Sequence, residues 1–514
     1  MPALCSGADG AARGTSAAAG GTLRLVAAGD VDSLDPALAT SPLAWAIEYG
    51  TCATLTAYAD APAPDGFSIR LEAAAGLPHV SRDGRTYVFS VRKGLGFSDG
   101  SPLTGANFAH ALGRVLNPSM NSPGAELFSD VKQVSARGRR LRIELSRPSG
   151  SLLTRLALPY ACPVPLGFPI NPAGEPLMVG SGPYRVASRV PGSQVVIERN
   201  PNYRGSRPQR IARMVMTVNG DVQADIQAVE QGQADVLGAE LEFEDRDRLA
   251  GVYGVNQKQL FKIRGTIVYF LALNTSSPLF KDNVPLRKAV NLVLDRAEIV
   301  KASPGWPLSQ EATDQIMPRW VPGWTDYHAY PLTGPNLPQA SRLAAGNVRG
   351  GRAVLYTSAV PFLVSIAKLI AAELDRIGLQ VTVTPLAPAV IAARAGTPGA
   401  PYDMLLTRYD LRYPDPEEAI VKLLSGANAR RPAGNTNLAY FDDPTYNRRI
   451  AVADGLNGAA RVRAFSQVDA SIMRNAAPWA PLFEGSRWLF VSSRVGCLKL
   501  HPVFRLDYAA ICVQ

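Results

Sequence analysis

Histidine is almost missing from this sequence. The 514 residues contain four, His79, His110, His328 and His501, scattered along the chain. That scarcity removes the usual catalytic base and the commonest zinc ligand. Cysteine is also sparse: Cys5, Cys52, Cys162, Cys497 and Cys512 include no C-x-x-C pair. A zinc site is therefore not expected, and no other metal or cofactor is implied. No H-E-x-x-H string is present and no triad-like grouping of nucleophile and base stands out, so nothing points to an enzyme. No apolar run reaches the roughly 18 residues of a membrane-crossing helix. Charged residues make up 19% of the chain, with a net charge of +10. The basic residues are dispersed, with no Lys/Arg block interleaved with aromatics, so a nucleic-acid partner is not expected.

What is there is an ordinary globular composition, 46% hydrophobic, in a chain too long for one core. Two or three domains are expected. Residues 1–20 are Gly/Ala/Ser-rich with no apolar period and read as a flexible tether. Gly21 to Val26 is a short alternating strand, followed by a turn-rich loop around Ser33 and Asp35-Pro36. Asp83-Gly84 punctuates a hairpin leading into the strand Thr86 to Val91. A helix follows from Asn107 to Leu116, with Phe108, Ala111, Leu112 and Val115 on one face. Leu141 to Leu145 alternates as a strand. Val222, Ile226 and Val229 mark a short helix stopped by Gly232, and Asp235 to Leu237 is a strand.

The stretch Thr266 to Val300 holds a buried strand at Ile267 to Leu273, a polar break at Asn274 to Pro278, and one helix running from Leu286 to Val300. Asp282 or Asn283 can cap that helix, Pro285 fits its first turn, and Asp295 and Arg296 fall off its apolar face. Pro304 to Pro338 is a Pro-rich loop with Trp306, Trp320, Trp324, Tyr327 and Tyr330, rings that either line a cleft or pack the loop. Ala353 to Tyr356, a helical stripe from Leu363 to Ile377 closed by Gly378, and Leu379 to Val383 make a second strand–helix–strand unit. Tyr402 to Leu406 is a further buried strand. Four cysteines after the first suggest an exported protein with two disulfides, with buried free thiols as the alternative. Cys497 with Cys512 would close a loop of roughly 15 residues, and Cys52 with Cys162 one of roughly 110, worth about 3 and 4–5 kcal/mol in the chain-entropy model.

Several strings recur together in one known family. Arg92-Lys93-Gly94-Leu95-Gly96-Phe97-Ser98-Asp99-Gly100-Ser101-Pro102-Leu103-Thr104 is one. Gly180-Ser181-Gly182-Pro183-Tyr184 with Glu198 to Tyr203 is another. Leu271 to Asn274 followed by Arg287, Lys288, Ala289, Asp295 and Arg296 is a third, and Ala480 to Glu484 a fourth. From Gly21 to Phe504 the chain resembles the extracellular solute-binding proteins that feed peptide and nickel importers of the ATP-binding-cassette type, solute-binding family five. The resemblance implies an α/β fold of two lobes, the periplasmic-binding-protein fold (type II, large cluster C-like), with an extra α/β subdomain inserted in the first lobe. Lobe I would comprise 21–44, 180–266 and 484–514, the inserted subdomain 45–179, and lobe II 267–483.

The function implied is capture of a peptide or other medium-sized polar solute between the lobes, and its delivery to ABC permease subunits. The alternative is a ligand-sensing domain of the same fold in a signalling or regulatory protein. The protein would work as a monomer outside the cytoplasm, in the periplasm or on the outer face of the cell membrane. Cys5-Ser6-Gly7 before a tether resembles the mature start of a bacterial lipoprotein, implying lipidation at Cys5, although only four residues precede it.

The resemblance also assigns candidate ligand contacts: Ser33, Asn274, Tyr409, Asp410, Arg412 and Phe483. In peptide-binding members the stretch matching Tyr409 to Pro416 carries an aromatic against the ligand backbone and an Asp that pairs with its α-ammonium. Tyr409 stands in the aromatic's place, but Arg412 stands in that of the Asp. A buried ammonium needs a carboxylate. Either Asp410 takes over, or the ligand presents no free peptide N-terminus and Arg412 meets an acidic group. The competing reading pairs Arg412 with Asp410, Asp415 or Glu417 outside the cleft.

Overall fold

A computed structural model describes residues 20–170, 177–303, 310–431 and 434–514. The tether and Cys5 lie outside the described residues, as does Trp306. Three sheets organise the chain. The first has five strands in the order Val236–Leu237, Thr22–Ala27, Arg213–Val218, Gln194–Arg199 and Tyr184–Val190. Its first three strands are parallel and the last two join by antiparallel pairing. The second sheet has six strands: Gln310–Ala312, Trp479–Phe490, Leu260–Leu273, Met404–Asp410, Arg352–Ser358 and Gln380–Leu386. A four-stranded antiparallel sheet, His79–Val80, Thr86–Ser90, Arg140–Leu145 and Val131–Arg137, lies within residues 45–179.

The cores explain the two-lobed outline. One buried cluster joins Leu23 and Met214 of the first sheet to Phe89, Leu141 and Ile143 of the four-stranded sheet, so the inserted subdomain and the first lobe share one interior. A second cluster, with Leu271, Val290, Ile370 and Met473, fills the other lobe. The long strands Leu260–Leu273 and Trp479–Phe490 run antiparallel between them, with Tyr269 opposite Phe483. Every residue from Gly265 to Leu273 is buried, as expected of a strand covered on both faces. The pairing slips between Arg264 and Ile267, a bulge opposite Ser486 and Gly485.

Two sequence expectations need correcting. The helix read as continuous from Leu286 to Val300 is two, Val284–Val293 and Arg296–Ala302. Leu294 is extended between them, and Asp295 caps the second by accepting from the Glu298 amide at 3.0 Å. The break turns Arg296 inward rather than onto an outer face. Its fully buried guanidinium donates to the carbonyls of Pro481 (2.7 Å), Asn291 (2.9 Å) and Thr313 (3.2 Å), and burial pushes its pKa down to about 10. The strand read at Tyr402 to Leu406 continues to Asp410, because its pairing with Leu260–Leu273 runs on to Ile267 opposite Asp410.

The aromatic loop packs rather than lines a cleft at two of its positions. Tyr327 donates to Asp469 at 2.8 Å and Tyr330 to the Met473 carbonyl at 2.9 Å. His501 is a packing residue: its Nδ1 accepts from the Val503 and Phe504 amides, each at 3.1 Å, and burial lowers its pKa to about 3. Disulfides join Cys52 to Cys162 and Cys497 to Cys512. No helix among the described residues is long and apolar enough to cross a membrane.

Candidate functional site

The strand Met404–Asp410 delivers the chain to the meeting of the lobes. At its end Asp410 ion-pairs with Arg487 of the returning strand and accepts from the Thr266 hydroxyl at 3.1 Å. Thr266 sits in the bulge, and its hydroxyl also reaches the Leu411 carbonyl at 3.1 Å. These contacts tie the strand end to the crossing pair. Beyond it, Leu411 to Pro416 turns into a π-helical turn, Glu417–Val421. Such turns are rare and gather at functional sites, because the wider spacing re-aims side chains. Here it aims Glu417 at the inserted subdomain and Glu418 at Arg412, Tyr409 and Lys422 of its own lobe.

Glu417 is the buried centre of one contact. Ser151 and Arg147 of the subdomain donate to it, Arg147 at 3.3 Å, and Tyr413 donates at 3.2 Å. Burial opposes its charge, but Arg155, Ser151, Arg461 and Arg147 together hold its pKa below the usual carboxylate range. Arg147 also ion-pairs with Asp454, whose pKa burial and the neighbouring Glu417 push up to about 6. Arg461 grips Asp415 with two bonds of 2.7 and 3.0 Å. Tyr413 itself is buried in the first lobe's hydrophobic cluster.

Glu418 is the centre of the other. Its side chain is 2% exposed and accepts from Arg412 Nε at 2.7 Å and Nη2 at 3.2 Å, a forked pairing. Tyr409 OH donates to the same Oε1 at 2.5 Å, and Lys422 Nζ lies 3.4 Å from it. Burial and the Glu418 charge raise the Tyr409 pKa well above its usual value, so Tyr409 is a neutral donor here. Arg412 Nη1 reaches on to Glu126 of the subdomain at 3.2 Å.

Between these contacts lies a cavity of about 360 Å³, within the range of small-solute sites. Glu126, Asp130, Arg147 and Arg155 line it from the subdomain. Arg412, Glu418, Lys422, Arg430, Arg431 and Asp454 line it from the second lobe. Charges of both signs face one space, an arrangement suited to a solute carrying opposite charges or many polar groups.

The six residues singled out in the sequence do not gather there. Arg412 lines the cavity, and Tyr409 shares its Glu418. Its partners are Glu418 and Glu126, not Asp410, Asp415 or Glu417. Asp410 turns to Arg487. Ser33 is buried and accepts from the Asp35 amide at 3.0 Å. Asn274 lies at the far end of its strand, donating to the Tyr402 carbonyl at 2.8 Å and accepting from Ser276 at 2.6 Å. Phe483 is fully buried, stacked on Tyr269 with centroids 4.5 Å apart. Glu126, Glu418, Lys422 and Arg431 were missed. Glu418 and Lys422, four apart just after the Asp415-Pro416 string, carried a helical-pair signal. Glu126 carried none.

The family model for bacterial extracellular solute-binding proteins, family 5 middle, matches residues 33–431. The chain belongs to this family, whose members bind solutes and are not enzymes. The oligopeptide-binding protein OppA of Bacillus subtilis is 26% identical over 299 residues, 52% of this chain and 52% of that protein. The chain thus spans, in matched residues, about half the length of that curated relative. A putative ABC transporter peptide-binding protein of Brucella ovis is 22% identical over 439 residues, 81% of this chain and 79% of that one. Among solved structures, clavulanic acid biosynthesis oligopeptide binding protein 2 superposes with a TM-score of 0.84 at 27% identity, covering 96% of each chain. The murein tripeptide binding protein MppA of Escherichia coli, at 18% identity and a TM-score of 0.71 over 97% of this chain and 99% of that one, shares the fold.

Proposed function

We propose that this protein is the substrate-binding component of an ABC importer. It captures a peptide-like or other polar solute between its lobes and hands it to a membrane permease. The observation that carries the reading is the cavity itself, walled by the inserted subdomain on one side and the second lobe on the other, with paired charges of both signs. A solute filling it touches both walls at once and so favours the closed arrangement over the open one, which is the differential affinity that closure requires. The peptide-binding names of the Bacillus and Brucella relatives support a peptide as the class. Arg412 in the wall supports an acidic group on it. In this reading the lobe boundaries fall near 44, 179, 266 and 483, and the protein acts as an extracytoplasmic monomer, anchored at most through Cys5.

Isothermal titration of the full chain with di- to pentapeptides tests this. Peptides are expected to bind and to raise the melting temperature as binding to the native state requires. Arg412→Ala, with the fold checked by circular dichroism, is expected to weaken that binding about tenfold or more, as loss of a buried charged contact does. An absence of binding by every peptide would overturn the peptide assignment.

A further inference from the structure

Glu126 is used differently from the other carboxylates of the seam. It stands on a short turn of the subdomain, Ala125–Phe128, with its side chain 40% exposed. Three cations of the second lobe converge on it nonetheless. Arg412 Nη1 and Lys422 Nζ lie 3.2 and 3.3 Å from Oε2, and Arg431 Nη1 lies 3.4 Å from Oε1. Burial works against its charge, but Lys422, Arg412 and Arg431 hold its pKa below the usual range.

The second-lobe half of this cluster is not neutral by itself. Arg412 and Lys422 share the buried Glu418, and Arg431 adds a further positive charge. Without Glu126, that wall of the cavity holds an excess of positive charge in a partly desolvated place, where an anion is favoured. Glu126 fills the role loosely. Its three contacts span 3.2–3.4 Å, longer than the roughly 2.7–2.9 Å of a well-formed charge-assisted bond. Glu418, by contrast, holds Arg412 at 2.7 Å. An oxygen free to position itself would bond better than Glu126 does from across the seam.

We propose that Arg412, Lys422 and Arg431 form a subsite for a carboxylate of the solute, and that Glu126 is its internal stand-in, occupying the subsite and holding the lobes together until the solute displaces it. This rests on the solute-binding reading above and adds which group of the solute is read and what competes with it. A solute must then displace Glu126, so its apparent affinity is reduced by the fraction of molecules in which the subsite is free. The carboxylate has two sources in a peptide, an Asp or Glu side chain or the C-terminus.

The test uses the full chain, wild type and Glu126→Gln, in two arms. In the first, thermal shifts are measured with succinate, a simple dicarboxylate, against equal ionic strength of sodium chloride. In the second, Ala-Glu-Ala and Ala-Gln-Ala, each as free acid and as C-terminal amide, are titrated calorimetrically. Glu126→Gln is expected to tighten binding of the carboxylate-bearing peptides about fivefold or more and to leave the neutral Ala-Gln-Ala amide unchanged, as removal of a competitor does. Whether the side-chain or the terminal carboxylate carries the gain identifies the source. Lys422→Gln in the Glu126→Gln background is expected to reverse the gain. Peptide binding that is unaffected or weakened by Glu126→Gln overturns the stand-in while leaving the solute-binding reading intact. A larger succinate shift in Glu126→Gln, with no peptide bound by either protein, upholds the subsite and sinks the peptide assignment. No difference in either arm overturns the subsite.

Discussion

Two of the seams that join the second lobe to the rest of the molecule are built differently. At one, the chain itself crosses: Leu260–Leu273 and Trp479–Phe490 share a backbone ladder from Leu260–Phe490 to Ala272–Trp479, broken by the bulge at Gly265 and Thr266. The ion pair there, Asp410 with Arg487, is an addition to a connection the backbone already makes. At the other, among the described residues, no strand pairs the subdomain with the second lobe. Arg147 meets Asp454 and Glu417, Ser151 meets Glu417, and Glu126 meets Arg412, Lys422 and Arg431. A ladder of hydrogen bonds fixes a position, whereas side-chain contacts across a gap can open and reform at modest cost. The first seam therefore reads as a pivot and the second as a clasp.

That contrast is easiest to break at Gly150. A Cβ there would lie 2.5 Å from the Leu456 carbonyl oxygen, so the subdomain and the second lobe approach too closely for any larger residue. Gly150→Ala is expected to cost about 1–3 kcal/mol, the usual range for overpacking, taken mainly from the closed arrangement. Small-angle scattering should show an enlarged radius of gyration and titration a weakened solute. An unchanged radius and affinity would mean that the seam yields locally and is not a clasp.

Acidity sharpens the same comparison. Asp454 has its folded pKa pushed up to about 6, from an unfolded value near 4. The folded state thus binds a proton that the unfolded state has released, and Asp454's contribution to stability falls as pH rises from about 4 through 6. Asp454→Asn removes that slope. Its melting temperature relative to wild type is expected to climb between pH 4 and pH 6 and to level off above. A parallel pair of curves would show that Asp454 titrates as an exposed carboxyl.

The smallest effect is expected at the pivot. Asp410 and Arg487 are partly exposed, with side chains 34% and 14% accessible. Asp410→Asn should destabilise by no more than about 1 kcal/mol, as for surface pairs, and leave the scattering profile unchanged. A profile that expands would move the clasp to the pivot.

The comparison also separates what was legible in the sequence from what was not. The strand at Ile267 to Leu273, the helix at Asn107 to Leu116 and the helix Pro361–Asp375 closed by Gly378 at φ +80° all came from periodicity and punctuation. Those signals are local, because a residue's neighbours along the chain set its face and its cap. The break at Leu294 was not legible, since the Arg296 contacts that go with it are to carbonyls such as that of Pro481, 185 residues away. Arg412 was picked out because its charge departs from the family's pattern at that place. Asn274 and Phe483 were picked for lying in strings shared with the family, and both are part of the packing that holds the strands.

By itself, then, the sequence determined the α/β elements, their order, the family and one arginine of the cavity. Each follows from chemistry carried within a few turns or strands of chain. Only the tertiary structure decided what that arginine meets. Glu126 lies 286 residues from Arg412, and Asp454 lies 307 from Arg147. No periodicity or spacing connects such pairs; they meet because the two lobes, each built largely around its own apolar cluster, leave charged faces opposite one another.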